Sequence, residues 1–317
     1  VARLRRDMLR EEAKSVAHMA THFPKNPFCR ICSLAKMQRK PCRRNKVLAG
    51  PPPTQFGDAV TMDHIIAHSE RSMGVTGQGY ALVIGDKATG WVDGFPLMDK
   101  SAAQVLASLR EFAADVPIKR AWTDCSGELI AALDKRDIIH DRATPYKPQT
   151  NGKAERLVRM VMEGTRSILL QAGLPEGFWP YAMRAYCVLQ NVSTSTVGVK
   201  SNWERRFGTG FNGPLIPFGA AIDFKPTKHH ADDLAKASPV TIPGVFFGYK
   251  LLPGAIWKGE FYCVPLDDFA HMDFTRRGWI TDVTVQTVPD LLWDKDAEVM
   301  FPLSKKLERA RRDIDVI

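Results

Sequence analysis

The pattern of hydrophobic residues changes between residues 59 and 172, and this change constrains the fold more than any other feature. Short apolar runs between turn residues are typical of strands, and apolar residues at intervals of three and four are typical of helices. Strands are predicted at 59–66, 80–86, 91–98, 118–123 and 138–142, and helices at 101–114, 128–133, 153–172 and 180–191. Ser101 is a candidate N-cap of the first of these helices. The first three strands form a meander and the later ones alternate with helices, which predicts an α/β fold.

The segments that flank this region have other patterns. Residues 4–22 predict a helix, the prolines that follow break the chain into a compact knuckle, and the Gly-Pro-Pro-Pro run at 50–53 is typical of a stiff boundary. From Gly210 onward, short strands are predicted at 239–249, 260–264 and 279–288, punctuated by glycine and proline, and a basic helical tail follows at 305–312. We therefore expect three units: a basic N-terminal segment at 1–48, a core at 52–208, and a small β-rich domain with its tail at 209–317.

The net charge of +9 is concentrated near the N-terminus. The first 50 residues contain 13 Lys and Arg but three Asp and Glu, whereas the rest of the chain has 31 basic and 32 acidic residues. Between Arg30 and Lys46 seven residues are basic and none is acidic, a pattern that favours phosphate contacts with counterion release. This segment predicts DNA binding, with contacts from Arg39, Lys40, Arg43 and Arg44. The alternatives are a solvated tail and a localisation signal.

The composition argues against several classes of protein. Hydrophobic residues make up 44% of the chain and charged residues 25%, and no stretch approaches the roughly 18 apolar residues that a membrane span needs. We therefore expect no membrane partner. The basic N-terminus has no apolar run behind it, so a secretory signal is not predicted. Six scattered cysteines do not form the pattern of a disulfide framework, which indicates a reducing, intracellular location.

Three acidic residues stand out within the predicted core. Asp63 lies in the first apolar strand, where an ionised carboxylate is costly unless it is paired or bound to a metal. Asp124 ends the fourth strand, and Glu155 lies one turn into the long helix. If the first and fourth strands are neighbours, the three carboxylates converge at one rim and offer the oxygen ligands that Mg²⁺ prefers. Taken singly, two of these acids have an alternative explanation: Asp124 as a turn cap, and Glu155 as an acid that the helix dipole stabilises near the helix N-terminus.

Two runs in the sequence carry a resemblance to a known family. They are 122–129 (WTDCSGEL) and 145–156 (PYKPQTNGKAER), and they resemble the second and third acidic motifs of retroviral and copia-type retrotransposon integrases. Residues 167–184 and 242–249 are also similar to later parts of copia-type polyproteins. The resemblance implies an RNase H-like core, with a mixed five-stranded sheet flanked by helices. It also implies a two-metal site in which Asp63, Asp124 and Glu155 bind Mg²⁺ or Mn²⁺.

The activity of the family is expected on the same ground. It is 3′-end processing and strand transfer of element DNA into target DNA, the work of a polynucleotidyl transferase and endonuclease that acts as a homo-oligomer in a nucleus or virus-like particle. Two features depart from the family: 30 residues separate Asp124 from Glu155, fewer than usual, and Cys125-Ser126 replace the usual Asn-Gly. They leave open a catalytically inactive DNA-binding or assembly protein. An RNase H-like nuclease is the other alternative.

The segment before the long helix predicts a DNA-binding surface. Pro145 and Pro148 stiffen it, and Gly152 lets the backbone approach a ligand closely. Hydrogen-bond donors and positive charges follow where DNA phosphates would lie, at Tyr146, Gln149, Asn151, Lys153, Arg156 and Arg159. Tyr146 could also stack on a base. The alternative is an ordinary flexible connection that leads into a positive helix face.

His and Cys residues near the N-terminus have the spacing of a metal site. His18 and His22 are four residues apart and so share one helical face, and Cys29 and Cys32 follow. Two His and two Cys suit tetrahedral Zn²⁺. Integrases of this type carry an N-terminal His-His-Cys-Cys zinc domain, so we expect a small helical segment similar to a zinc knuckle. The alternative is a surface His pair beside two small buried cysteines.

Overall fold

The computed structural model describes residues 2–36, 52–67, 69, 72–124, 126–142, 148–193, 198–228, 237–274 and 283–314. For residues 2, 142, 148–151 and 310–314 the description covers the backbone alone. No helix in these ranges is both long and apolar enough to cross a bilayer.

The first sheet has five strands in the order β3-β2-β1-β4-β5. Their bounds are β1 Val60–Ile66, β2 Tyr80–Asp86, β3 Val92–Leu97, β4 Arg120–Thr123 and β5 Ile139–Arg142. The first three strands pair antiparallel as a meander, whereas β4 pairs parallel with β1 and β5 parallel with β4. The turn between β2 and β3 is closed by the Asp86 carboxylate, which accepts hydrogen bonds from the backbone N–H and hydroxyl of Thr89, both at 2.8 Å. The predicted mixed five-stranded sheet is therefore confirmed.

Helices pack on both faces of this sheet. The α-helices of the described residues are α1 Ala2–Glu12, α2 Val16–Thr21, α3 Arg30–Ala35, α4 Ala102–Ala113, α5 Gly127–Asp134, α6 Pro148–Ala172, α7 Trp179–Val192, α8 Asn202–Phe207 and α9 Ser304–Ile314. One face of the sheet buries Val60 and Met62 against α4 and α5, and the other packs against α6 and α7. The predicted N-cap of α4 is present, since Ser101 accepts a hydrogen bond from Gln104 N.

Two helix predictions were wrong in their bounds. The single helix expected at 4–22 is divided into α1 and α2, because Ser15 breaks the backbone ladder: its hydroxyl donates to Glu12 O at 2.8 Å and accepts from His18 N at 3.1 Å. The long helix begins at Pro148 rather than Lys153. Proline is well suited to a first helical position because its fixed φ is helical and its missing N–H has no partner there. Residues 148–152, expected as loop, are therefore helical.

The α6–α7 pair is the centre of the larger hydrophobic core. Gly164 of α6 lies against the ring of Tyr186 of α7, which is completely buried, and any side chain at position 164 would overlap that ring. Arg184 of α7 extends to the sheet, where it donates to Asp93 of β3 at 2.9 Å and to Glu111 of α4. These contacts fix α7, and through it α6, against the sheet that carries the candidate site.

A second five-stranded sheet follows, in the order β10-β6-β7-β8-β9. Its strands are β6 Ala221–Phe224, β7 Ile242–Leu252, β8 Ile256–Pro265, β9 Gln286–Val288 and β10 Leu291–Leu292, and all pairs are antiparallel. Phe247 of β7 packs edge-on against Phe178, so this sheet shares the core of α6 and α7. The β-rich C-terminal region is as predicted, although the strand expected at 279–288 is described only at 286–288.

Candidate active site and histidine-cysteine cluster

Asp63 lies within β1, and Asp124 directly follows the end of β4. In the parallel pair of β1 and β4, Val60 is opposite Ala121 and Thr61 is opposite Trp122. Asp63 is two residues beyond Thr61, and Asp124 is two residues beyond Trp122. Because side chains alternate along a strand and Met62 faces α4 and α5, the Asp63 side chain is on the face that packs against α6. Both aspartates are only partly buried.

Local hydrogen bonds hold both carboxylates. Asp63 Oδ1 accepts from His64 N at 2.8 Å, and Asp124 Oδ1 accepts from Ser126 N at 3.1 Å. The second bond closes the turn between β4 and α5, as expected of a turn cap. One carboxylate oxygen of Asp124 is therefore engaged by a backbone N–H two residues further along the chain.

Glu155 reaches the same side of the sheet on α6. The preceding residue, Ala154, is buried, and Leu157 lies so close to Gly85 of β2 that a Cβ at position 85 would be 2.6 Å from Leu157 Cδ2. This close approach sets the height of the N-terminal half of α6 above the strands. The Glu155 side chain is exposed. It is the eighth residue of the helix, two turns in rather than the one turn expected.

The three acids do not form a closed ligand set. Among the described residues, one group of three or more His, Cys, Asp or Glu side chains has its ligand atoms within 4.8 Å of one another, and it lies elsewhere, in the N-terminal region. The expectation that Asp63, Asp124 and Glu155 already share one metal's reach is therefore not met at this distance. What the structure provides is one carboxylate in β1, a second directly after the neighbouring strand β4, and a third on α6, which packs against β1 and β2.

A second polar group flanks this rim from the opposite face, and the sequence did not reveal it. Lys100 Nζ lies 2.8 Å from Glu128 Oε1, and the same oxygen is 3.8 Å from His64 Nδ1. Burial lowers the pKa of His64, and the hydrogen bond with Glu128 raises the pKa of Lys100. Asp124 is close enough to His64 and Lys100 to favour the protonated form of each, although burial outweighs this effect at His64. In the sequence, only Glu128, which lies in the motif at 122–129, pointed to this group, because Lys100 is 28 residues away along the chain.

The predicted DNA-binding residues fall into three groups. Lys153, Arg156 and Arg159 are exposed on α6 near Glu155, and Arg156 Nε donates to Gly152 O at 2.9 Å. Gln149 and Asn151 are in the first turns of α6, where the side chains are not described. The remaining residues lie outside the described ranges: Tyr146, Arg39, Lys40, Arg43 and Arg44.

The four His and Cys residues near the N-terminus converge. His18 belongs to α2 and His22 caps its end in the left-handed conformation, with φ of 53°. Cys29 is the N-cap of α3, where its sulfur accepts from Cys32 N at 3.5 Å. Cys29 Sγ lies 3.5 Å from His22 Nδ1, and Cys32 Sγ lies 3.5 Å from His18 Nε2 and 3.9 Å from His22 Nδ1. The predicted grouping is confirmed.

This arrangement fits a tetrahedral metal in size and in chemistry. Bonds of about 2.0 to 2.3 Å in a tetrahedron separate the ligand atoms by roughly 3.3 to 3.8 Å, close to the distances found. All four side chains are buried, which contradicts the alternative of a surface His pair. Burial lowers the pKa of His22, which favours the neutral imidazole that a metal requires. The hydrogen bond from the Cys32 thiol lowers the pKa of Cys29, so one thiolate forms readily.

Comparisons with known proteins give relatives of one kind. No protein-family model matches the chain. It is 25% identical over 239 residues to the retrovirus-related Pol polyprotein from transposon RE1 of Arabidopsis thaliana, which is 72% of this chain and 15% of that protein. The polyprotein from transposon RE2 of the same plant is 24% identical over 261 residues, 78% of this chain and 17% of the relative. That from transposon TNT 1-94 of Nicotiana tabacum is 35% identical over 107 residues, 30% of this chain and 8% of the relative.

The chain thus spans less than a fifth of the length of each of these curated relatives. Among solved structures, the catalytic core domain of BIV integrase aligns with a TM-score of 0.35 and 15% identity, over 47% of this chain and 92% of that one.

Proposed function

Because the chain is homologous to the Pol polyproteins of copia-type retrotransposons, we propose that it is the integrase portion of such a polyprotein. In this proposal it catalyses metal-dependent 3′-end processing of element DNA and strand transfer into target DNA. The observation that supports it is the parallel pairing of β1 and β4, in which Thr61 is opposite Trp122 and each chain reaches an aspartate two residues later, while α6 packs against β1. Carboxylates on neighbouring strand segments, with a third acid on a helix beside them, are the oxygen donors that Mg²⁺ or Mn²⁺ takes.

Each group of the site has a distinct role in the proposed reaction. Asp63 and Asp124 hold the cations at the rim, and Glu155 completes the ligand set from α6. Bound there, the cations supply activation of an attacking oxygen and stabilisation of the leaving oxygen. Lys153, Arg156 and Arg159 hold the DNA backbone above the carboxylates and orient the reacting phosphate.

Asp124→Asn tests this proposal. It removes a ligand charge without changing the basic residues, so it should abolish DNA joining in Mg²⁺ with a preprocessed DNA end and leave DNA binding nearly intact. Asp134→Asn is the matched control, because Asp134 is an exposed acid at the far end of α5 and its loss makes the same change in charge. Loss of binding in step with loss of joining would show that Asp124 is structural.

The same assay separates the two other functions that the sequence leaves open. An RNase H-like nuclease would cut the substrates without joining an end to a target. A catalytically inactive assembly protein would bind DNA and give no product, and Asp124→Asn would then change nothing. We propose that the active protein is a homo-oligomer, since two element ends must be held together for insertion; light scattering with and without DNA measures this.

We further propose that His18, His22, Cys29 and Cys32 bind Zn²⁺ and that residues 1–48 form an N-terminal unit around it. The support is the tetrahedral spacing of four buried ligand atoms. Purified protein should contain about one zinc per chain by elemental analysis. Cys32→Ser should lose it, whereas Cys263→Ser, which removes an equally buried cysteine from β8, should retain it. Wild-type protein without zinc, after preparation in zinc-containing medium, would rule the site out.

A further inference from the structure

Beside Asp124, strand β4 carries a patch of charge that the proposed mechanism does not use. Side chains alternate along a strand, so Arg120 and Trp122 of β4 project from the face opposite to Ala121, which packs in the core formed with α4 and α5. Arg120 is exposed and Trp122 is half-buried. In β5, Asp141 lies opposite Trp122 and therefore also on this face. Arg120 Nη1 donates hydrogen bonds to both carboxylate oxygens of Asp141, at 2.7 and 2.8 Å.

Lys87 enters the same patch from the end of β2. Its backbone N–H donates to Ala59 O at 2.9 Å, which fixes it beside the start of β1. The Nζ atom lies 5.4 Å from the centre of the Trp122 ring, within the range of a cation–π interaction. The side chain is half-buried, and burial lowers its pKa, with further lowering by Lys153 and Arg120. Lys87 thus lies within the electrostatic influence of two other cations, Lys153 and Arg120.

The charges of this patch are not balanced. Lys87, Arg120 and Lys153 contribute three positive charges, and Asp141, already paired with Arg120, is the one acid among the described residues that raises the pKa of Lys87. Within the described part of the chain Lys87 forms no ion pair. Neighbouring cations repel one another, and an anion that enters the patch relieves that repulsion.

We propose that Lys87 and Arg120, positioned around Trp122, bind the phosphate backbone of duplex DNA and extend the DNA-binding surface from the N-terminal part of α6 across β4. The inference rests on the proposed function for the identity of the anion. Trp122 is two residues, or roughly 6.6 Å, from Asp124 along the strand, so a duplex with one phosphate at the carboxylates passes over the patch. The aromatic ring lies under Lys87 and supports the cation, so the contact is with phosphates and carries no base specificity.

The test compares wild-type protein with single variants in the salt dependence of their binding to a blunt DNA duplex of arbitrary sequence. Binding is measured by fluorescence anisotropy on the full chain. Each phosphate contact on duplex DNA contributes about 0.9 to the slope of log K against log salt. Lys87→Gln should lower the slope by about this amount. Lys135→Gln is the control, since Lys135 is an exposed cation at the opposite end of α5 from Asp124. Equal slopes for the two variants would overturn the proposal.

A second variant separates phosphate contact from a general loss of charge. Arg120→Gln combined with Asp141→Asn removes an ion pair and leaves the net charge unchanged. The slope should still fall by about 0.9, because the arginine no longer neutralises a phosphate; an unchanged slope would exclude Arg120 from the surface. Both measurements need binding alone. If the protein fails to join DNA, the proposed function is contradicted, but the slopes still show whether Lys87 and Arg120 contact phosphates. If it joins DNA and the variants leave the slope unchanged, only the proposed DNA contacts of Lys87 and Arg120 are contradicted.

Discussion

Replacing Gly164 by Ala should destabilise the protein, although alanine is the better helix former. A Cβ at position 164 would lie 2.5 Å from Cε1 of Tyr186 and closer still to Cζ and Cε2. Carbon atoms in ordinary contact are about 3.5 to 4.0 Å apart, so α6 and α7 must separate by at least about 1 Å. Tyr186 cannot move away, because it is fully buried in the core that both helices share.

The magnitude follows from two opposing effects. Alanine gains about 1 kcal/mol over glycine in a helix interior, whereas overpacking a buried site costs about 1 to 3 kcal/mol. Because a ring and a helix backbone must both shift, we expect a cost near the upper end and a net loss of about 1 to 2 kcal/mol. Gly127→Ala is the matched control: Gly127 is the first residue of α5, a Cβ there has no neighbour within 4 Å, and the change should be neutral or stabilising.

A double-mutant cycle measured by urea denaturation decides whether Tyr186 is the cause. Tyr186→Ala alone should cost about 3 to 5 kcal/mol, as truncation of a large buried ring does. With that ring gone, Gly164→Ala should become stabilising by about 1 kcal/mol, which gives a coupling of about 2 to 3 kcal/mol. Additive effects, or a stabilising Gly164→Ala in the wild-type background, would refute this account of the α6–α7 contact.

Two further outcomes are expected. Deleting residues 1–48 should weaken DNA binding, because the excess positive charge lies there. The slope of log K against log salt should fall by about 0.9 for each phosphate that the segment neutralises in the full chain. An unchanged slope would assign the segment to assembly or localisation. Asp58→Asn should destabilise the protein at neutral pH, since the hydrogen bond from Lys119 and those from Gln55 and Thr54 backbone hold the pKa of Asp58 below its usual value. The stabilising effect of Asp58 is present above its unfolded-state pKa and is lost as the pH falls towards its folded-state pKa. The difference in free energy of unfolding between the wild type and Asp58→Asn, measured by denaturation from pH 7 to pH 2, should therefore shrink as the pH falls. A constant difference would contradict this role.

The elements that sequence predicted well are those with local signals. Periodicity, turn residues and the Ser101 cap are contained within short windows, and the five strands and α4 were located from them. The division at Ser15 was missed because the periodicity of 4–22 continues across it, and the side-chain bonds that interrupt the helix have no distinct spacing. The His-Cys grouping was predictable because its ligands are close in sequence.

The surroundings of the rim were not predictable because they depend on register and on contacts between distant segments. Lys87 and Trp122 are 35 positions apart, and Lys100 and Glu128 are 28 apart. Each pair meets only once β1, β2 and β4 are aligned side by side. Alternation along β4 was visible in the sequence, with Arg120, Trp122 and Asp124 at every second position, but the sequence did not say which face would carry α6.

The structure shows what the short interval between Asp124 and Glu155 contains. Its 30 residues contain a two-turn helix, α5, and a strand, β5, that pairs with every residue of β4, so the interval is long enough for the fifth strand of the sheet. The earlier start of α6 also bears on Glu155. As the eighth residue of the helix, Glu155 lies beyond the first turn, where the helix dipole favours an acid. The helix-dipole explanation for Glu155 therefore loses its basis, and its proposed role as a metal ligand rests on its position as an exposed carboxylate, next to buried Ala154, on the helix that packs against β1.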